Sequence, residues 1–161
     1  MPVTNVITDV EARTLTIEAR LEASVERVWQ IYADPRQLER IWGPPDYPAT
    51  FVDHSLTSGG RATFCMTGAT GEKFCGVWEI TDVDEPHSFT FDDYFADEAF
   101  RKMTDKPVGH NTITLIPDGN ATILRAIVTY DTAEALQEVL DMGVVEGGTD
   151  AMNQIDGLLA A

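Results

Sequence analysis

The sequence predicts an α+β fold, a curved seven-stranded antiparallel sheet wrapped around a long C-terminal helix, with two short helices after the first strand. Three observations carry that expectation. Residues 49–130 keep a two-residue hydropathy period broken by Gly, Asn and Pro turn signals, residues 132–160 keep a helical period, and no linker or repeat divides the chain. An open sheet needs one face covered, and the last segment is the only long helix available to cover it.

Residues 1–161 are read as a single domain, with residues 1–11 as a short N-terminal tail. Leu15, Ile17, Ala19 and Leu21 share one parity and Thr14, Thr16, Glu18 and Arg20 the other, so residues 13–21 form a strand with one buried face. Ser24 supplies an N-cap hydroxyl to a helix carrying Val25, Val28, Trp29 and Tyr32 at three- and four-residue steps. Asp34-Pro35 opens a second, short helix with Leu38, Ile41 and Trp42, which Gly43-Pro44-Pro45 ends. Six strands follow, at 49–56, 61–68, 73–83, 88–95, 110–117 and 122–130, and their short loops make most of them antiparallel neighbours. Thr132 caps one long helix to residue 160, with Gly147-Gly148 as its weak point.

Charge excludes some partners. Eleven Lys and Arg against 27 Asp and Glu give a net charge of −16, which repels phosphate backbones and anionic lipid surfaces. Nucleic acid is therefore excluded, and no apolar stretch is long enough for membrane insertion. The start shows no secretory pattern, so a soluble cytoplasmic protein is expected. Cys65 and Cys75 lack the further ligands a zinc site needs, and no metal or cofactor is assigned. The two cysteines flank the turn at residues 68–71 with the same outward parity. Reduced thiols are expected, with a cross-strand, redox-sensitive disulfide as the alternative.

The chain resembles the START-like, or SRPBCC, superfamily with its helix-grip (Bet v-like) fold, and within it the subfamily related to activators of heat-shock protein ATPase. The residues that carry the resemblance are Trp29, Asp34-Pro35, Leu38 and Trp42-Gly43-Pro44; Gly59-Gly60; Gly76-Val77-Trp78-Glu79-Ile80 with Glu85-Pro86 and Phe89-Thr90-Phe91; and Gly143 with Gly147 before Leu158-Leu159. They span about residues 12–160. The resemblance implies a cavity between sheet and long helix that holds an apolar or amphipathic molecule. Members range from lipid carriers and hormone receptors to polyketide cyclases and co-chaperone domains, so membership does not choose among those functions.

Parity nominates the lining. With Thr14, Glu18, Thr63, Glu79, Thr81, Thr112 and Thr114 facing water, the opposite face carries Leu15, Ile17, Val52, His54, Ala62, Phe64, Met66 and Phe74. It continues through Trp78, Ile80, Phe89, Phe91, Asp93, Phe95, Asn111, Ile113 and Leu115. Phe64, Met66, Trp78 and Phe91 read as packing or lining. His54 and Asp93 read as solvated strand-end residues or, if turned inward, as a proton-transfer group and a ligand anchor of raised pKa. Asn111 and Tyr130 orient a ligand or satisfy nearby backbone, and Leu136, Leu140, Gly143 and Gly147 bring the helix past the cavity. A side chain added at Gly147 is expected to reach into that space.

No nucleophile elbow, phosphate loop or zinc-protease motif is present. The leading functional reading is a binder of a small hydrophobic or amphipathic molecule. The alternatives are a cyclase- or hydratase-type enzyme using His54, Asp93, Asn111 and Tyr130, and a chaperone-ATPase-activator-like module with a protein partner. Oligomeric state is left open.

Overall fold

The computed structural model describes residues 1–161. Its strands form one eight-stranded antiparallel sheet in the order β1-β2-β8-β7-β6-β5-β4-β3. They run Val3–Asp9 (β1), Thr14–Leu21 (β2), Ala49–His54 (β3), Arg61–Thr67 (β4), Lys73–Asp84 (β5), Ser88–Ala96 (β6), Val108–Asp118 (β7) and Ala121–Thr129 (β8). The helices are Val25–Ala33 (α1), Pro35–Trp42 (α2), Ala133–Asp141 (α3), Val144–Asn153 (α4) and Ile155–Ala160 (α5). After β2 the chain crosses through α1 and α2 to the far edge of the sheet. From there β3 to β8 meander back until β8 pairs with β2.

The expected caps are in place. Ser24 Oγ accepts from Arg27 N at 3.2 Å, Asp34 Oδ1 from Arg36 N at 2.9 Å, and Thr132 Oγ1 from Ala135 N at 3.0 Å. Each satisfies an N–H that the first helical turn leaves unpaired.

Three expectations need correction. The N-terminal segment is not a tail: β1 pairs with β2 through a tight turn in which Asp9 Oδ1 accepts from Ala12 N, and the sheet gains an eighth strand. Nearly every β1 side chain is exposed, so this edge strand is held by ladder hydrogen bonds and leaves no hydropathy signature. The long C-terminal helix is three helices, broken at Gly143 and again at Gln154 rather than at Gly147-Gly148. Gly143 has φ +85°, a left-handed conformation that ends a helix with little strain only at glycine. The cysteines, opposite one another in the β4–β5 ladder, are joined as a Cys65–Cys75 disulfide, not held as thiols.

Bulges also shift the inward face. Phe51 pairs with Phe64 and His54 with Ala62, so three steps on β3 oppose two on β4. Phe51 is thereby buried, while Val52, expected inward, is 62% exposed. Phe74 is 52% exposed and rests against Tyr47 beyond the end of the core. Thr63 keeps the outward parity yet is buried, its hydroxyl accepting from Asp53 N.

The main core joins α1, α2, α4 and α5 to the concave face of the sheet, and a second small cluster gathers Leu136 and Val139 of α3 around Tyr130.

Candidate functional site

The inward face divides into an aromatic half and a polar half. In the first, Trp78 stacks on Phe91 with ring centroids 4.1 Å apart and meets the edge of Trp42 at 4.7 Å. Phe64 stacks on Phe51, and its ring lies over Gly76, where a Cβ would sit 2.5 Å from Phe64 Cζ. Phe64, Trp78 and Phe91 are thus packed core, with Met66 half-buried at its margin. His54 is half-buried there, and its Nε2 donates to Tyr32 O at 2.7 Å. Its Nδ1 is then the bare acceptor, buried without a partner, and desolvation lowers the ring's pKa, so the imidazole is neutral.

Asp93, Asn111 and Tyr130 come together in the second half. The β5–β6 and β6–β7 ladders set Asp93 between Trp78 and Gly109. Asn111 stands two residues beyond Gly109, and its Nδ2 donates to Gly109 O at 3.1 Å. A Cβ on Gly109 would lie 3.3 Å from Asn111 Nδ2, 3.6 Å from Tyr130 Cε1 and 2.9 Å from Val128 Cγ2. The missing side chain is what leaves these groups room. Phe95, Val128, Leu140 and Val144 pack around the cluster of Tyr130, Leu136 and Val139, so apolar side chains flank the polar trio.

Asp93 is half-buried by area, but protein surrounds its carboxyl, and desolvation pushes it up to about 7. It makes no hydrogen bond to protein. Unlike Trp78 Nε1 and His54 Nδ1, its oxygens are not sealed in. Burial raises the Tyr130 phenol too, and the Asp93 charge adds to that rise. The arrangement is a carboxyl, a phenol and an amide side by side on the inner face, next to the apolar cluster around Tyr130.

The structure separates the other nominated residues. Leu136 is buried against Tyr130 and Leu140 lies beside it, while Gly143 forms the helix break. A Cβ on Gly147 would meet nothing within 4 Å, so the expected close approach falls one residue later, at Gly148, where a Cβ would lie 3.1 Å from Ile17 Cδ1. His54 is on the aromatic side, away from the trio. Sequence reasoning missed Gly109, although a lone Gly beside a strand pattern is a signal of close approach.

Two further features lie away from the trio. A surface depression of about 520 Å³ is bounded by Glu39, Arg40, Gly43, Gln154, Gly157 and Leu158, and contains none of the nominated residues. On the other face of the sheet, His110 Nδ1 lies 2.7 Å from Asp92 Oδ1 and Nε2 lies 3.0 Å from Asp131 Oδ1. The hydrogen bond to Asp92, helped by Asp131, raises the imidazole's pKa. This clasp ties β6 and β7 to the segment that leads from β8 into α3.

A curved antiparallel sheet gripping C-terminal helices defines a START-like protein of the helix-grip class. Within that class, the chain belongs to the family of activator of Hsp90 ATPase homolog 1-like proteins, whose model matches residues 22–160. The crystal structure of protein Ms6760 from Mycobacterium smegmatis is 59% identical, with 98% of this chain and 97% of that chain covered and a TM-score of 0.92. A solution structure of a protein from Arthrobacter aurescens is 44% identical over 98% of this chain and 92% of that one, with a TM-score of 0.94. Another from Staphylococcus epidermidis is 25% identical over 98% and 94%, with a TM-score of 0.84. No curated protein matches the chain. No helix is long and apolar enough to cross a membrane.

Proposed function

We propose that this protein binds a small hydrophobic or amphipathic molecule in a recess between β6–β8 and the helices α3 and α4. The observation that carries the reading is Asp93, an inward carboxyl with no protein partner, beside the apolar cluster in which Phe95, Val128, Leu140 and Val144 pack around Tyr130. An unpartnered polar group in apolar surroundings is costly unless something else completes it. A few convergent polar groups within an apolar lining are what orient a small ligand.

The test is a titration with N-phenyl-1-naphthylamine, a neutral apolar fluorophore, followed by emission and by amide NMR shifts. Saturable binding with shifts concentrated at Gly109, Asn111 and Tyr130 is expected. Absence of saturation, or shifts confined to the depression beside Gln154 and Leu158, would overturn the reading.

A second reading, proton transfer to the bound molecule, has one observation in its favour: a carboxyl held near 7 beside a phenol can act as acid or base at neutral pH. It involves Asp93 and Tyr130, with Asn111 as an orienting group, and leaves His54 out. A chaperone partner rests on the family's description alone.

A further inference from the structure

The chemistry of the trio constrains the polar end of the ligand. Asn111 donates through Nδ2 to Gly109 O, which fixes the amide orientation because a carbonyl accepts only from nitrogen. Its Oδ1 is left as an acceptor. Tyr130 is 6% exposed and its hydroxyl makes no hydrogen bond, so its lone pairs are unused. Asp93 offers two carboxylate oxygens. No lysine or arginine serves the site: Lys102 is held by Glu79 at 2.6 Å, Lys106 lies beside Glu138, and Arg101 binds Asp97. The trio therefore presents acceptors without a matching cation, in a chain whose net charge of −16 draws cations toward it.

We propose that the ligand's polar end is a protonated amine, its N–H groups donating to Asp93, Asn111 Oδ1 and Tyr130 Oη, with an aromatic or alkyl body against Val128, Leu140 and Val144. This rests on the ligand-binding reading above. An ammonium carries three donors and no acceptor, which complements the three groups, and a charge-assisted bond to a desolvated carboxylate is stronger than a neutral one. A carboxylate ligand would set like charges together. An alcohol would bring one donor and leave the Asp93 charge uncompensated.

Three ligands of one shape separate the possibilities: 1-naphthylmethylamine, 1-naphthalenemethanol and 1-naphthoic acid, measured by isothermal titration calorimetry at about pH 8, where both Asp93 and the amine are charged. The amine is expected to bind at least about tenfold more tightly than the alcohol, and the acid more weakly than either. Asp93→Asn should remove the amine's preference while retaining alcohol binding. Tyr130→Phe, which keeps the ring, should lower the amine-to-alcohol ratio several-fold, and it keeps the test open if Asp93→Asn fails to fold. Alcohol binding as tight as amine binding would overturn the amine assignment and leave the recess in place. An amine preference undiminished in both variants would also overturn it. If none of the three binds, the recess is not a ligand site and both readings fall.

Discussion

Replacing Asp93 by Asn keeps the shape of the side chain and removes the ionisable group from its desolvated position. The carboxyl rises from an ordinary 3.8 to about 7 in the fold, so between those values the folded protein holds a proton that the unfolded chain has released. Stability linked to Asp93 must then fall as pH increases through that window, because the folded state binds more protons there. The penalty is absent below about pH 4 and complete above about pH 7. At about 1.4 kcal/mol per pH unit, the rise sets a ceiling of about 4 kcal/mol. Water reaching the half-buried side chain reduces the effective penalty, so about 1 to 3 kcal/mol is expected. Equilibrium urea unfolding of the wild type and of Asp93→Asn, from about pH 4.5 to 8, measures it. His54 and His110 titrate in both proteins, so the difference isolates Asp93. The variant should gain steadily on the wild type as pH rises. A difference that stays flat across the range would refute the desolvation argument and place Asp93 in bulk water.

Gly147→Ala should stabilise α4 by up to about 1 kcal/mol, because a Cβ there meets nothing and alanine is the better helix former; Gly148→Leu should cost about 1 to 3 kcal/mol through Ile17, both read by thermal unfolding. Equal melting temperatures for the two variants would show that the phase of α4 is wrong. Removing the cross-link with Cys65→Ser and Cys75→Ser together should cost about 2 to 3 kcal/mol, since the bridge closes a loop of ten residues in the unfolded chain. An unchanged urea midpoint would mean that the bridge does not restrain that chain. The His110 imidazole should titrate by NMR above its ordinary 6.5, and Asp92→Asn should lower the midpoint. Its stabilising contribution is fully present below about pH 6.5 and disappears as pH rises through the folded value. A wild-type midpoint at or below 6.5 would remove the clasp.

Hydropathy reports which face of an element is wet, so it located α1, α2 and the strands β2 to β8. The disagreements fall where that signal carries no information. β1 is wet on both faces and held by its backbone ladder, so Val3, Val6 and Ile7 never separate into an inner and an outer set. At the β3 bulge, Phe51 and Val52 are both apolar, and only the extra residue opposite β4 decides which of them is buried. The break at Gly143 depends on a positive φ, whereas Gly147 and Gly148 fit within a helix, and composition alone does not distinguish a glycine that ends a helix from one inside it.

The polar trio was legible in part for the same reason. Parity put Asp93 and Asn111 on the inner face, and the ladder, whose register the turns set, brought them together at Gly109. Because the chain turns at Gly143, α4 and α5 carry Met152, Ile155 and Leu158 into the large aromatic core, while α3 turns Leu136 and Val139 onto Tyr130. One straight helix would have to serve both clusters along a single stripe. The β5–β6 and β6–β7 ladders hold Asp93 between Trp78 on one side and Gly109 on the other, and neither cluster supplies a partner for its carboxyl. The same glycine that sequence reasoning placed beside the cavity thus acts through the backbone, by setting the direction of α3 relative to α4.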